Sequence, residues 1–162
     1  MLLTAGEVRG RKKLQKMVFI AQCLGFPFPE PFDLHVWGPY SEVLTVKVKE
    51  MTDWGFAREE ALPGPAGNQQ YVYTPGPNAA RVCEDAPVSA QLCDLVSHLN
   101  SQDATFLEGV ATVMFLRAKG KPDDVVSQMV SRLKPDKFAD PVRVEAAMIF
   151  ADQLEGYRAA CL

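Results

Sequence analysis

The side chains best placed to do chemistry are basic, and they fall in two short runs. Arg11, Lys12, Lys13 and Lys16 crowd the start of one segment, and Lys47 and Lys49 stand in a second. Cations at such spacing suit phosphate contacts, because each neutralised phosphate releases condensed counterions. Arg11, Lys12, Lys16, Lys47 and Lys49 are therefore the candidate nucleic-acid-binding residues. Acid–base chemistry has a candidate in His35, with Asp33 or Tyr40 beside it. No G-x-S-x-G elbow, P-loop, H-E-x-x-H or catalytic cysteine signature accompanies that histidine. His35 reads instead as a hydrogen-bonded residue bracing a Gly38-Pro39 turn. With Trp37, Tyr40 and Ser41 it forms a structural motif, His35-x-Trp-Gly-Pro-Tyr-Ser41. His98 reads as a half-exposed surface residue on a helix.

Stepping from these residues to their supports, Leu14, Met17, Val18 and Ala21 recur at helical spacing and define one face. Lys12 and Lys16 lie on the opposite, outward face. A short helix over Leu2–Val8, ended or bent near Gly6 or Gly10, is expected before this one, which Gly25 closes. Pro27, Pro29 and Pro31 forbid regular helix across the next stretch, while Phe26, Phe28 and Phe32 hold it against the core. Phe32 to Trp37 forms a short strand. Ser41 then caps a second helix, with Leu44, Val48 and Met51 as its buried stripe and Trp54 at the edge. Phe56–Glu60 and Gln69–Thr74 read as two strands joined by an exposed, mobile Pro/Gly-rich tip over residues 62–68.

After Pro75-Gly76-Pro77 the pattern is helical throughout. Asn78–Glu84 is a short helix or turn, and Leu92, Leu95, Val96 and Leu99 line a longer one. Ala104–Lys119 is apolar around most of its circumference and is expected to be the central buried helix. A further helix carries Val126, Met129, Val130 and Leu133 on its core face. Asp140-Pro141 starts the last helix, whose core residues are Val144, Ala147, Met148, Ala151 and Leu154.

The fold expected is α+β and mostly helical. Residues 1–75 read as a winged helix-turn-helix with a small β-hairpin wing, and residues 76–162 as a helical bundle packed on it. Hydrophobic residues make up 48% of the 162-residue chain and charged residues 23%, the balance of a globular protein rather than a disordered one. There is no membrane-length apolar run and no basic leader ahead of an apolar core, so a cytoplasmic location is expected. Cys23, Cys83, Cys93 and Cys161 include no C-x-x-C pair, and only two histidines are present. A structural zinc site does not fit that pattern, and no metal or cofactor is expected. The first three cysteines read as small buried hydrophobes and Cys161 as an exposed thiol.

The run Gly10-Arg-Lys-Lys-Leu-Gln-Lys-Met-Val-Phe-Ile20, then His35-x-Trp-Gly-Pro-Tyr-Ser41, then a helix ending Trp54-Gly55-Phe56, resembles the YwgA-like family of uncharacterised prokaryotic proteins. Arg132-Leu-Lys-Pro-Asp-Lys-Phe138 is similar to that family's Leu-Lys-Pro-x-Lys-Phe element. A more distant similarity is to Panacea antitoxin-type domains, which share a K-L-Q-K-L-like helix and a G-P-like turn. The resemblance implies a winged-helix domain followed by a small helical bundle, a prokaryotic source and no established enzymatic activity.

Two functional readings follow, neither of them enzymatic. In the first, a groove-facing second helix and the flanking basic residues bind DNA in a transcriptional regulator. Charge argues against it in part: the net charge is −3, with eight basic and six acidic residues before position 59 and nine and fourteen after. Glu42, Glu50 and Asp53 also share the outward face of that helix with Lys47 and Lys49. The wing tip carries no basic residue. In the second, the same scaffold is a protein-interaction module, an antitoxin-like neutraliser or adaptor, with aromatics of the 26–40 segment as anchors. Most of those aromatics also suit simple packing. DNA and a protein are thus both candidate partners, membrane is excluded, and a homodimer through the appended helices is a further expectation.

Overall fold

A computed structural model describes residues 1–64, 67–81 and 88–159. The chain begins with α1 (Leu2–Ala5), β1 (Val8–Arg9) and α2 (Arg11–Cys23). A small hairpin follows, β2 (Asp33–His35) and β3 (Gly38–Tyr40), and then α3 (Glu42–Asp53). A longer hairpin, β4 (Ala57–Pro63) and β5 (Gln69–Pro75), completes the first half. The second half is α4 (Ala90–Asn100), α5 (Ala104–Ala118), α6 (Asp123–Leu133), α7 (Pro135–Phe138) and α8 (Pro141–Leu154), ending in a 3₁₀ turn, Glu155–Tyr157. The class is α+β, mostly helical, with small antiparallel sheets.

Local chemistry accounts for most boundaries. The expected helix over Leu2–Val8 stops at Ala5, because Gly6 turns the chain at φ 68°. Val8 then enters a strand rather than a helix, pairing with Tyr73 in the three-stranded sheet of order β1-β5-β4. A β-branched residue buried on a sheet satisfies its packing and its backbone at once. The longer hairpin runs further than the predicted strands, since pairing continues from Ala57↔Pro75 to Pro63↔Gln69. Ser41 caps α3 by accepting from the Leu44 amide at 3.1 Å. Asp103 and Asp140 cap α5 and α8 in the same way. Pro141 follows at the first turn, as expected; Pro122, whose place from sequence is the first turn of the helix bearing Val126, is instead the N-cap of α6.

The core crosses the expected division near residue 75. Val8, Met17, Ile20 and Tyr73 join Leu95, Leu107, Val110, Phe138, Ala147 and Leu154 in one buried cluster. Of the helix pairs, α2 against α5 is the most extensive contact, so these two helices form the centre. Because α2 is enclosed on nearly all sides, every residue from Leu14 to Ala21 is buried.

Two predicted stripes are corrected. On α3 only Leu44 is buried and Val48 half-buried, while Met51 and Trp54 are exposed. The helix packs chiefly on β4, and a single small sheet covers too little of its circumference to bury four positions. Leu133, expected in the core, is also exposed, at the last turn of α6. Cys23 and Cys93 are half-buried free thiols rather than fully enclosed ones. His98 stacks between Phe150 and Tyr157, with ring centroids 5.0 and 5.7 Å away. Cys83, Cys161, the predicted helix beyond residue 81 and the centre of the wing tip lie outside the described residues. No described helix is long and apolar enough to cross a membrane.

Candidate functional site

The His35–Ser41 motif folds as the β2–β3 hairpin and leads straight into α3. Its register pairs Asp33 with Tyr40 and His35 with Gly38 around a two-residue turn, Val36-Trp37, so the expected strand ends at His35 and the expected Gly38-Pro39 turn is instead the start of β3. Gly38 has φ 80°, and a Cβ there would stand 2.9 Å from Thr112 Oγ1 and 3.3 Å from the Glu108 carbonyl oxygen. Only glycine lets the hairpin lie this close to α5. Turn formation and helix packing thus both demand the same residue.

Buried side chains from α2 and from the α6–α7 corner then hold the backbone of the hairpin and of the Ser41 cap. Lys16 on α2 donates to the Pro39 carbonyl at 2.5 Å. Lys134, between α6 and α7, donates to the Val36 carbonyl at 3.1 Å and to Glu108 Oε1 at 2.5 Å. Lys137 donates to the other Glu108 oxygen at 3.0 Å. Gln15 donates to the Ser41 carbonyl at 2.9 Å and accepts from the Ser41 amide at 3.0 Å, fixing the start of α3. The Val36 and Pro39 carbonyls thus take their donors from outside the hairpin, as buried carbonyls must when the ladder does not pair them.

The electrostatics follow from burial. Burial pushes the Lys16 amine down to about 7; Glu108 opposes the shift and Lys134 reinforces it. Burial alone would raise Glu108, but the hydrogen bonds from Lys134 and Lys137 outweigh it and hold the carboxyl below its ordinary value. Lys134 is lowered by burial, with Glu108 working against that shift. The cluster is a buried polar joint between α2, the hairpin, α5 and the α6–α7 corner.

The predicted nucleic-acid residues do not converge on one basic face. Lys16 is the clearest correction: it was expected on an outward face and is fully buried, aimed inward at Pro39. Its helix is enclosed by α5 and the hairpin, so helical periodicity alone could not mark an outward side. Arg11 is paired with Glu59 at 2.9 Å and lies over the Tyr71 ring at 3.5 Å. Lys47 reaches the buried Glu30 at 2.8 Å, and Lys49 pairs with Asp53 at 2.8 Å on the same helix. Lys12 is exposed and sits over the Trp37 ring at 4.7 Å. His35 is exposed and contacts the Tyr40 ring at 5.6 Å; this contact, rather than a side-chain hydrogen bond, ties it to the hairpin. Among the described residues no three His, Cys, Asp or Glu side chains gather as a metal site would require.

Sequence reasoning missed Glu108 and Thr112 altogether. The signal for Glu108 was present: it is the one acid in the apolar run 104–116. A carboxylate there needs a buried cation, and the Arg132–Phe138 element supplies Lys134 and Lys137. Segments that carried the sequence resemblance, 10–20, 35–41 and 132–138, therefore meet at one joint.

No family model matches the chain. It is 31% identical over 152 residues to the uncharacterized protein YwgA of Bacillus subtilis (strain 168), an overlap spanning 93% of this chain and 90% of that protein. The chain belongs to the YwgA family. An overlap of this extent takes in both the helix–hairpin–helix half and the helical half, so the joint described above lies within the shared region.

Proposed function

We propose that this member of the YwgA family is a non-enzymatic regulatory binding protein that acts through protein contacts made by the outer face of α3. The reading treats residues 1–75 as a winged-helix unit. It is supported by the order α1-β1-α2-α3-β4-β5 with sheet order β1-β5-β4, in which α3 precedes the long hairpin. The observation that carries the functional choice is the composition of that face. Val43, Val46, Met51 and Trp54 are exposed, Val46 at 57% and Trp54 at 62%. Lys47 and Lys49 are meanwhile committed to Glu30 and Asp53. Glu42 and Glu50 stand on the same helix without a cationic partner among the described residues.

An apolar surface bordered by uncompensated acids repels a polyanion and suits a protein whose own apolar patch is flanked by lysine or arginine. Exposed aromatic and branched side chains of this kind are efficient anchors when a partner desolvates them. The test is capture from the native host, followed by reconstitution with the purified partner, comparing wild type with Val46→Glu/Trp54→Glu. Both positions are exposed, so the variant is expected to fold. Stoichiometric binding that is lost in the variant supports the proposal. Equal binding by both proteins refutes it. So does salt-dependent duplex DNA binding, seen by fluorescence anisotropy, that weakens on Lys12→Glu.

A further inference from the structure

Between the start of α2, the inner side of α3 and the β4–β5 hairpin lies a cleft of about 430 Å³. Its floor is apolar, made by Leu14, Leu44 and Val48. The volume falls within the roughly 300–1,000 Å³ that small-molecule sites occupy. Charges on its rim cancel pairwise, Arg11 with Glu59 and Lys49 with Asp53. A charged ligand would therefore meet no unbalanced charge of opposite sign.

Arg11 at the rim is held unusually firmly for an exposed side chain. Its guanidinium stacks on Tyr71, its Nε donates to Tyr73 Oη at 3.1 Å and to Glu59, and its Nη2 donates to Glu59 Oε1 at 2.9 Å. Tyr73 in turn donates to Glu59. Nη1 has no partner among the described residues, so one fork of a pre-organised donor remains unused. A donor fixed in advance loses little entropy when a ligand accepts from it.

We propose that this cleft binds a small uncharged molecule with an aromatic body and a carbonyl acceptor. The body packs on Leu14, Leu44 and Val48, and the carbonyl accepts from Arg11 Nη1. Because α3 forms one wall, an occupant braces the helix from within. Val46 stands at the border, lining the cleft as well as the face assigned to a partner, whereas Trp54 lies outside the cleft and separates the two sites.

Prodan, a neutral naphthyl ketone whose emission shifts blue on leaving water, is a direct probe for the full chain. Titration should give a saturable blue shift at one probe per chain. Val48→Phe, which fills the cleft, should weaken binding at least about tenfold, and Arg11→Gln, which removes the donor, about five- to tenfold. Trp54→Glu, on the outer face, should leave the affinity unchanged while it abolishes any partner binding there. Far-UV circular dichroism verifies that each variant is folded. Absence of a saturable shift overturns the proposal, as does equal affinity in wild type, Val48→Phe and Arg11→Gln. Loss of binding on Trp54→Glu with retention on Val48→Phe also overturns it, by placing the probe on the outer face. Should Val48→Phe fail to fold, Arg11→Gln decides the matter alone, since undiminished affinity there is a refutation.

Discussion

Replacing Lys16 with methionine removes a buried amine that titrates near 7 in the folded protein against an ordinary 10.5. Burial is the main cause, opposed by Glu108 and reinforced by Lys134, Lys12 and Lys137; Tyr40 of β3 faces the amine with its ring 5.9 Å away. Below about pH 7 both states are protonated, and the cost of burying the charge is present in full. Between about 7 and 10.5 the unfolded chain holds a proton that the folded chain has released, so wild-type stability rises with pH. One proton contributes about 1.4 kcal/mol per pH unit, or roughly 3 kcal/mol between about pH 7 and about pH 9.5. Lys16→Met lacks this slope. It also leaves the Pro39 carbonyl without its donor, at a pH-independent cost of about 1–3 kcal/mol. Urea unfolding followed by circular dichroism across this range should show the wild-type advantage growing by roughly 3 kcal/mol with pH. Groups outside the joint, Cys23 among them, titrate in both proteins and cancel in the comparison. Parallel stability curves for the two proteins would refute the buried, weakly basic Lys16.

Further outcomes rest on the same joint. Glu108→Gln removes the carboxylate facing Lys134 and Lys137 and should cost about 3–5 kcal/mol, as breaking one side of a buried pair does. Because the Glu108 carboxyl sits below its ordinary 4.5, its contribution is complete above that pH and is lost as pH falls through the lower folded value. Glu108→Gln should accordingly flatten the acid limb of the wild-type stability profile, measured by thermal melts from about pH 6 downward. Gly38→Ala combines a left-handed backbone with a Cβ 2.9 Å from Thr112 Oγ1 and should lower stability by about 2 kcal/mol or more in urea melts. Gly109→Ala would place a Cβ 2.1 Å from the Phe138 ring, so α7 must move, with a loss of about 1–3 kcal/mol by calorimetry.

Much of the local architecture was legible because it rests on short-range rules. The Ser41 and Asp140 caps act within three residues of the helix they start. Gly25 closes α2 because few other residues accept φ 86°. The apolar run of α5 marked it as central, since only a helix surrounded by protein tolerates that composition. Mostly helical α+β character follows from these signals alone. The first-helix reading failed at Val8, where a sheet partner sixty-odd positions away outweighed local helix preference.

The candidate site was less legible for a physical reason. Lys16 looks outward on a helical wheel, and only the approach of α5 and the β2–β3 hairpin makes that side interior. Met51 looks inward on the same kind of wheel, with Trp54 at the edge, and only the narrow contact of α3 with β4 leaves both exposed. Ion pairing is equally nonlocal: Arg11 meets Glu59 across 48 positions, and Lys134 meets Glu108 across 26. Sequence by itself determined most of the longer helices, the existence of the longer hairpin, and that the 10–20, 35–41 and 132–138 segments carry the family resemblance. Tertiary structure alone decided which charges are buried, which are cancelled and which apolar face is left uncovered. Periodicity defines the faces of an element, but burial and charge compensation depend on what packs against each face.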